Sequence, residues 1–281
     1  MPRLFEIRIP FKEENNVLVY NSLYLNDISN ILEEEKELVF YLEEDKLSVL
    51  DEIKKYLKEN NFSGINKIKQ SEFTKTNWDY KWKKSIKPVI IKDKIVIYPS
   101  WKFNDVQKYK DKLFIQIDPK MSFGTGHNET TQMILEMLCS HIAPSDKYML
   151  DYGCGTGILA IAAVKLGMHK AVAIDIDEVA FENAEENIRI NNLESKIKLL
   201  VSDIDDIKEN DFDIICVNIV SNVIEEKINL ITGKLKPQGK LFISGILTEE
   251  SGKFLKFLGS NNLSVIETLE KAEWIGIYAR K

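Results

Sequence analysis

Cysteine and histidine are scarce in this chain, three of each among 281 residues. Cys139, Cys154 and Cys216 lie in or beside apolar runs and share no paired spacing. They read as reduced core thiols, which excludes a disulfide framework and suggests no zinc site. His127, His141 and His169 are too scattered for a metal cluster, so no metal is expected. No apolar run reaches the length of a membrane span, and the opening MPRLFEIRIPF lacks the apolar stretch of a secretory signal. A cytoplasmic location without membrane contact is the resulting expectation. An excess of basic charge is also missing: 38 Lys and Arg face 44 Asp and Glu, a formal net charge of −6. That argues against a partner held mainly by its phosphates and leaves room for a basic protein. At this length one large or two ordinary domains are expected.

Against these absences stands one dense stretch, KYMLDYGCGTGILAIAAVKLGMHKAVAIDI, residues 147–176. An apolar run ends at Asp151 and meets Gly153, Gly155 and Gly157. A helix-like segment follows, then a second apolar run, Ala171 to Ile174, closing on Asp175. Strand, glycine turn, helix and parallel strand ending in an acid form the half-fold that binds adenosine-containing cofactors. The spacing selects among them. A dinucleotide loop, G-x-G-x-x-G, would place its third glycine at Ile158, whereas here it is Gly157. No Lys with Ser or Thr follows to hold a triphosphate. The G-x-G-x-G form resembles the S-adenosylmethionine loop of class I methyltransferases. Glycines at 153 and 155 let the backbone approach a ligand. Asp175, a pure acceptor when ionised, suits both ribose hydroxyls. Asp177 fits better as the cap of the next helix.

The rest of the C-terminal part alternates helices with short apolar strands. Helices are expected over 178–191, 221–235 and 248–258. Strands are expected over 197–201, 212–217 and 240–244, then 263–269 and 274–279. Continuously apolar strands between helices imply a parallel sheet covered on both faces. The last two strands are too close for a crossover helix, so they form an antiparallel hairpin. The first 70 residues differ. Strands at 4–9 and 38–42 and a helix over 47–58, with Leu50, Ile53 and Leu57 on one face, read as a small α+β domain. That domain is either a plain accessory or a docking element. Residues 71–281 then hold a linker and the cofactor-binding domain. Within them a hairpin is expected at 89–98, turning at Lys92-Asp93-Lys94. Trp78 and Trp82 would share a helix face, for core packing or as a substrate platform.

Two further segments carry chemistry. In IDPKMSFGTGHNETTQMILEML, residues 117–138, Gly124 and Gly126 lead into a helix whose first turn holds Thr130 and Thr131. Hydroxyls there either cap the helix or hold a ligand, and one threonine is expected to cap. In FDIICVNIV, Asn218 ends a buried strand at the edge where open α/β sheets bind ligands. A helix cap is its plain role; its position opposite the glycine loop favours a catalytic one.

FGTGHNETT, LDYGCGTGILAIAA, AIDID and VNIV, in this order and spacing, resemble the PrmA family of ribosomal-protein lysine methyltransferases. The likeness extends from about Trp78 to the C-terminus, including NWDYKW and EWIGIYARK. It implies a Rossmann-like class I fold with an antiparallel C-terminal hairpin and S-adenosyl-L-methionine as cofactor. Its cofactor contacts fall on Thr131, Gly153, Asp175 and Asn218, and Gly155 and Asp203 are counted with them. The implied partner is the eleventh protein of the large ribosomal subunit, recognised by the N-terminal domain, with the enzyme acting as a monomer. This chain departs from the family pattern at Asn128, where a histidine is usual, with His127 beside it. Lys120 stands for the glycine of Asp-Pro-Gly, and Val217 for an alanine.

The implied reaction is methyl transfer to an amine by direct displacement, with Asn218 aiming the amine and no compelling general base; His127, Glu129 or water serve equally. Three alternatives stay in view. A base methyltransferase usually has an aromatic after the asparagine, where this chain has Ile219. A small-molecule N-methyltransferase leaves the N-terminal domain unexplained. A cofactor-binding regulator without turnover is disfavoured by the intact Asn218.

Overall fold

The structure, a computed structural model, describes residues 4–12, 15–26, 28, 32–34, 36–73, 86–118 and 124–281. Trp78 and Trp82 lie outside the described residues. The chain divides into two units, Met1–Ser85 and Ile86–Lys281.

The first unit runs β1 (Leu4–Pro10), α1 (Asn16–Tyr24), β2 (Leu32–Glu34), β3 (Glu37–Glu43), α2 (Ser48–Glu59) and β4 (Lys69–Phe73). Its sheet has the order β2-β3-β1-β4, every pairing antiparallel. That is the split β-α-β arrangement of ferredoxin-like folds. Alternation sorts the faces: Ile7 and Ile9 of β1 join Leu38, Phe40 and Leu42 of β3 beneath Leu50, Ile53 and Leu57 of α2. Both the α+β character and the face of α2 match expectation. The boundary does not: β4 pairs with β1, so a cut at residue 70 would split a strand. KQSEF has no apolar alternation to reveal it, and the division falls after Ser85.

The second unit opens with β5 (Val89–Ile91) and β6 (Ile95–Tyr98), the expected hairpin. In its three-residue connection Lys92 and Asp93 both take left-handed φ, 44° and 55°, and Lys94 N–H donates to the Ile91 carbonyl at 2.9 Å. β7 (Leu113–Gln116) adds a parallel partner to β6. Then follow α3 (Glu129–His141), β8 (Tyr148–Tyr152), α4 (Ile158–Lys165), β9 (Lys170–Asp175), α5 (Glu178–Ile190), β10 (Ile197–Val201) and β11 (Phe212–Asn218). The chain closes with α6 (Ser221–Lys234), β12 (Leu235–Leu247), α7 (Ser251–Ser260), β13 (Ser264–Lys271) and β14 (Trp274–Arg280).

Seven of these strands form one sheet in the order β10-β9-β8-β11-β12-β14-β13, in which β14 pairs antiparallel with both neighbours. The hairpin is therefore present, with its second strand inserted beside β12. Both faces are buried at the central strands, as continuously apolar strands demand, while the edge strand β13 is largely exposed. Met149, Ala171, Ala173, Ile214 and Cys216 point to one core with α3, α4 and α5. Leu150, Val172, Ile174, Ile215 and Val217 point to the other, beneath α6 and α7. All three cysteines are free and buried, and burial pushes the Cys139 thiol up to about 11. Among the described residues no group of His, Cys, Asp or Glu could hold a metal ion.

Candidate active site

With polar groups excluded from both faces, the functional side chains gather where the parallel strands end. β8 runs into the glycine loop, where Gly153, Gly155 and Gly157 have φ of 70°, 53° and 76°. At Gly153 the requirement is double. A Cβ there would sit 2.5 Å from Cγ2 of Ile219, so only glycine lets the segment after β11 lie over the loop. Asp175, at the end of β9, accepts hydrogen bonds from Gly155 N–H at 2.8 Å and Asp177 N–H at 3.1 Å. A carboxylate offers about four lone pairs, so acceptor capacity remains for a ligand's hydroxyls. Asp177 caps α5, accepting from Val179 N–H at 2.9 Å, as expected.

Beneath the loop lies Asp151, fully buried. Its Oδ2 accepts from Ala160 N–H at 3.0 Å, while Oδ1 has no partner among the described residues. Burial pushes this carboxyl up to about 7, with the Ala160 N–H opposing and Asp175 adding to the shift. An orphaned acid oxygen under a glycine loop suits a cationic ligand.

The other half of the site is α3 and the end of β11. Asn218 donates from Nδ2 to Thr131 Oγ1 at 3.3 Å, joining residues 87 positions apart. The amide nitrogen is thereby engaged, and its carbonyl oxygen is the atom left to accept. Neither threonine caps α3: Asn128 takes the N-cap position without a side-chain bond, and Thr130 Oγ1 is buried with no partner among the described residues. The expected cap is thus absent, and both hydroxyls belong to the site side of the helix start. His127 is exposed; its Nε2 meets the Lys87 carbonyl at 2.9 Å. Asp203 follows β10 and accepts from Tyr152 O–H and Ile204 N–H, both at 2.7 Å, beside Lys227 at 3.3 Å. Burial raises its pKa, but these three donors outweigh it and hold the carboxyl below its ordinary range.

A cleft of about 270 Å³ is lined by Glu129, Thr130, Asn218, Ile219, Gly245 and Trp274, among others. A Cβ on Gly245 would lie 2.3 Å from the Ile219 carbonyl oxygen, so β12 and the segment after β11 close on each other here. Trp274 was not among the expected site residues. Its signal lies in topology: β14 is antiparallel to the rest, so its first residue falls at the edge where the parallel strands end. A larger groove, about 620 Å³ between α5 and β10, touches none of the glycine-loop residues.

A sheet of this order with one antiparallel strand, a G-x-G-x-G loop after β8 and an acid ending β9 defines a Rossmann-like class I methyltransferase. Comparison with known proteins narrows the class. The model of the family described as Ribosomal protein L11 methyltransferase (PrmA) matches residues 11–281, and the chain belongs to that family. A relative named Ribosomal protein L11 methyltransferase from Ruminiclostridium cellulolyticum is 36% identical over 280 residues, 96% of this chain and 88% of the relative. Another of that name, from Caldicellulosiruptor saccharolyticus, is 39% identical over 247 residues, 87% and 76% of the two chains. A solved ribosomal protein L11 methylase from Lactobacillus delbrueckii subsp. bulgaricus superposes with a TM-score of 0.63 at 29% identity, covering 70% of this chain and 98% of that one.

Proposed function

We propose that this methyltransferase transfers methyl groups from S-adenosyl-L-methionine to lysine side-chain or N-terminal amino groups of ribosomal protein L11, in the cytoplasm and as a monomer. The observation that carries the reading is the Asn218–Thr131 pair, with Asn218 lining a cleft beside Ile219, whose side chain packs over the glycine loop at Gly153. A bound cofactor would supply an electrophilic methyl to a neutral amine, its C–S bond breaking onto sulfur, and the methylated amine would give up its proton to water.

The protein's part is binding, aim and desolvation. Gly153 and Gly155 give the cofactor backbone contact, and Asp175 holds the ribose. A cofactor with sulfonium and ammonium groups above the loop would favour the ionised form of Asp151, against the burial that pushes its carboxyl up. Asp203 sits at the same sheet edge; with its carboxylate engaged by Tyr152 and Lys227, it would meet the cofactor through its backbone or an outer lone pair. Neutralising a lysine of ordinary pKa at pH 7 costs roughly 4–5 kcal/mol. The apolar walls of the cleft, Ile219 and Trp274, lower that cost by disfavouring the ammonium where the substrate amine lies against them. The Asn218 carbonyl, its amide fixed by Thr131, accepts an amine N–H and leaves the lone pair toward the methyl.

Ile219 after the asparagine, where an aromatic would stack a base, supports a protein acceptor over a nucleic acid. The first unit is read as the docking domain for the ribosomal protein. The test is incubation of purified L11 and of ribosomal RNA with the enzyme and labelled cofactor. Label on the protein supports the reading, and label confined to RNA refutes it.

A further inference from the structure

One buried network ties the two halves of the site together and has no part in the chemistry described so far. Thr156 lies inside the glycine loop and is fully buried. Its hydroxyl donates to the carbonyl of Gly124, 32 residues earlier, in the loop that leads to α3. Its own carbonyl accepts from Asn187 Nδ2 of α5 at 3.1 Å. Asn187, also fully buried, uses its Oδ1 to accept from Asp118 N–H at 3.1 Å. Two residues of the cofactor-side framework thus hold Asp118 and Gly124. Gly124 has φ of 95°, and a Cβ there would stand 3.1 Å from Thr156 Oγ1, so the contact needs glycine at that position.

A plain core threonine would satisfy its hydroxyl within its own element, most often on a carbonyl three or four residues back. This one reaches across to the segment whose continuation places Thr131 against Asn218. We infer that Thr156 is a positioning residue for methyl transfer, setting the acceptor-side loop and the start of α3 against the cofactor loop. The inference rests on the reading of the site given above. Its physical basis is alignment: in-line displacement tolerates little misplacement, and a shift of about 1 Å costs on the order of a hundredfold in rate. Cofactor affinity depends instead on the backbone of Gly153 and Gly155 and on Asp175, whose hydrogen bonds do not pass through the Thr156 hydroxyl.

The test compares Thr156→Val, which keeps the shape and loses the hydroxyl, with Thr156→Ser, which keeps it. Three quantities are measured: affinity for S-adenosylhomocysteine, kcat on the ribosomal protein, and backbone hydrogen exchange over residues 124–132. For Thr156→Val the expected result is affinity within about threefold of wild type, kcat lower by roughly ten- to a hundredfold, and faster exchange. Thr156→Ser should stay near wild type in all three. Gly124→Ala breaks the same contact from the other side, so it should show the same split even if Thr156→Val folds poorly. Combined with Thr156→Val it should lose no more than the worse single variant. The inference is overturned by unchanged exchange, by parallel losses of affinity and kcat, by a serine variant as slow as the valine, or by additive losses in the double variant. A wild-type enzyme that leaves the ribosomal protein unmodified would end the functional reading instead, with exchange and affinity still deciding the role of Thr156.

Discussion

The four-stranded and the seven-stranded sheet of this protein use their faces differently. In the first unit the helices pack on the Ile7, Ile9, Phe40 side, while the opposite side carries Glu6, Arg8, Glu37, Tyr41 and Lys69. Arg8 and Lys69 both bridge to Glu37, at 3.3 and 2.8 Å, and Lys69 holds that carboxyl below its ordinary range. In the second unit both faces are closed by apolar packing, and polar chemistry is confined to the strand ends. The contrast follows from strand pairing. An antiparallel sheet can present one polar face to a partner, whereas a parallel sheet between helices offers ligands only its carboxyl edge. A polar sheet face in the first unit and a strand-end cleft in the second are thus natural products of the two architectures.

The bluntest way to break this division of labour is to remove the first unit. A chain beginning at Ile86 is expected to bind S-adenosylhomocysteine as the full enzyme does and to lose nearly all activity on the ribosomal protein. Equal activity by a methylation assay would make the first unit a stability element. Asn218→Ala should come next, cutting kcat by about a hundredfold while cofactor affinity changes far less, because aim matters chiefly in the transition state. Parallel losses in kinetics and calorimetry would reduce Asn218 to a cofactor residue.

Asp175→Ala should weaken cofactor binding by about 2 kcal/mol or more by calorimetry, since buried hydroxyls lose their acceptor and Gly155 N–H its partner. Asp151 gives a pH signature. Its folded pKa of about 7 lies above the ordinary value of about 3.9 for an unfolded chain. Its contribution to stability is therefore present in full below pH about 4 and is lost as pH rises to about 7, by up to about 4 kcal/mol. Asp203, held low by the donors named above, and Asp213 of β11, held low against its burial by Lys236 and by Lys147 and Tyr148 N–H, act in the opposite sense, so the difference between variants is the readout. Relative to wild type without cofactor, Asp151→Asn should gain thermal stability steadily between those pH values. A constant difference would show that Asp151 is ionised throughout. The smallest effect belongs to the polar sheet face. Lys69→Glu should alter KM for the ribosomal protein a fewfold, with stability changed by less than about 1 kcal/mol, as for exposed ion pairs. A change in cofactor affinity would contradict the separation of roles.

The second unit was far more legible in sequence than the first, for a physical reason. Strands buried on both faces are short apolar runs, and each announces itself; 197–201 and 212–217 were readable to within a residue. Glycines forced to positive φ and an acid ending a strand are equally local signals. In the first unit α1 reads NVLVYNSLY, apolar without a helical stripe, and β4 reads KQSEF, so neither has a pattern to find. Within the site, the pairing of Thr131 with Asn218 and of Thr156 with Gly124 depends on contacts 87 and 32 residues apart. Asn183, Asn187 and Asn191 look in sequence like the wet face of α5. They are instead buried and hydrogen-bonded to Gln116, Asp118 and Thr156. Trp274 became visible only once β14 was seen to run against the sheet.

The most direct test of the central claim is mass spectrometry of intact ribosomal protein L11 after incubation with S-adenosylmethionine and either the full chain or Asn218→Ala. Both proteins should first be shown to bind S-adenosylhomocysteine. The full chain is predicted to add methyl groups to lysine or N-terminal amines, and the variant to do so about a hundredfold more slowly. Binding of the cofactor product by the full chain with no mass gain on L11 would contradict the account.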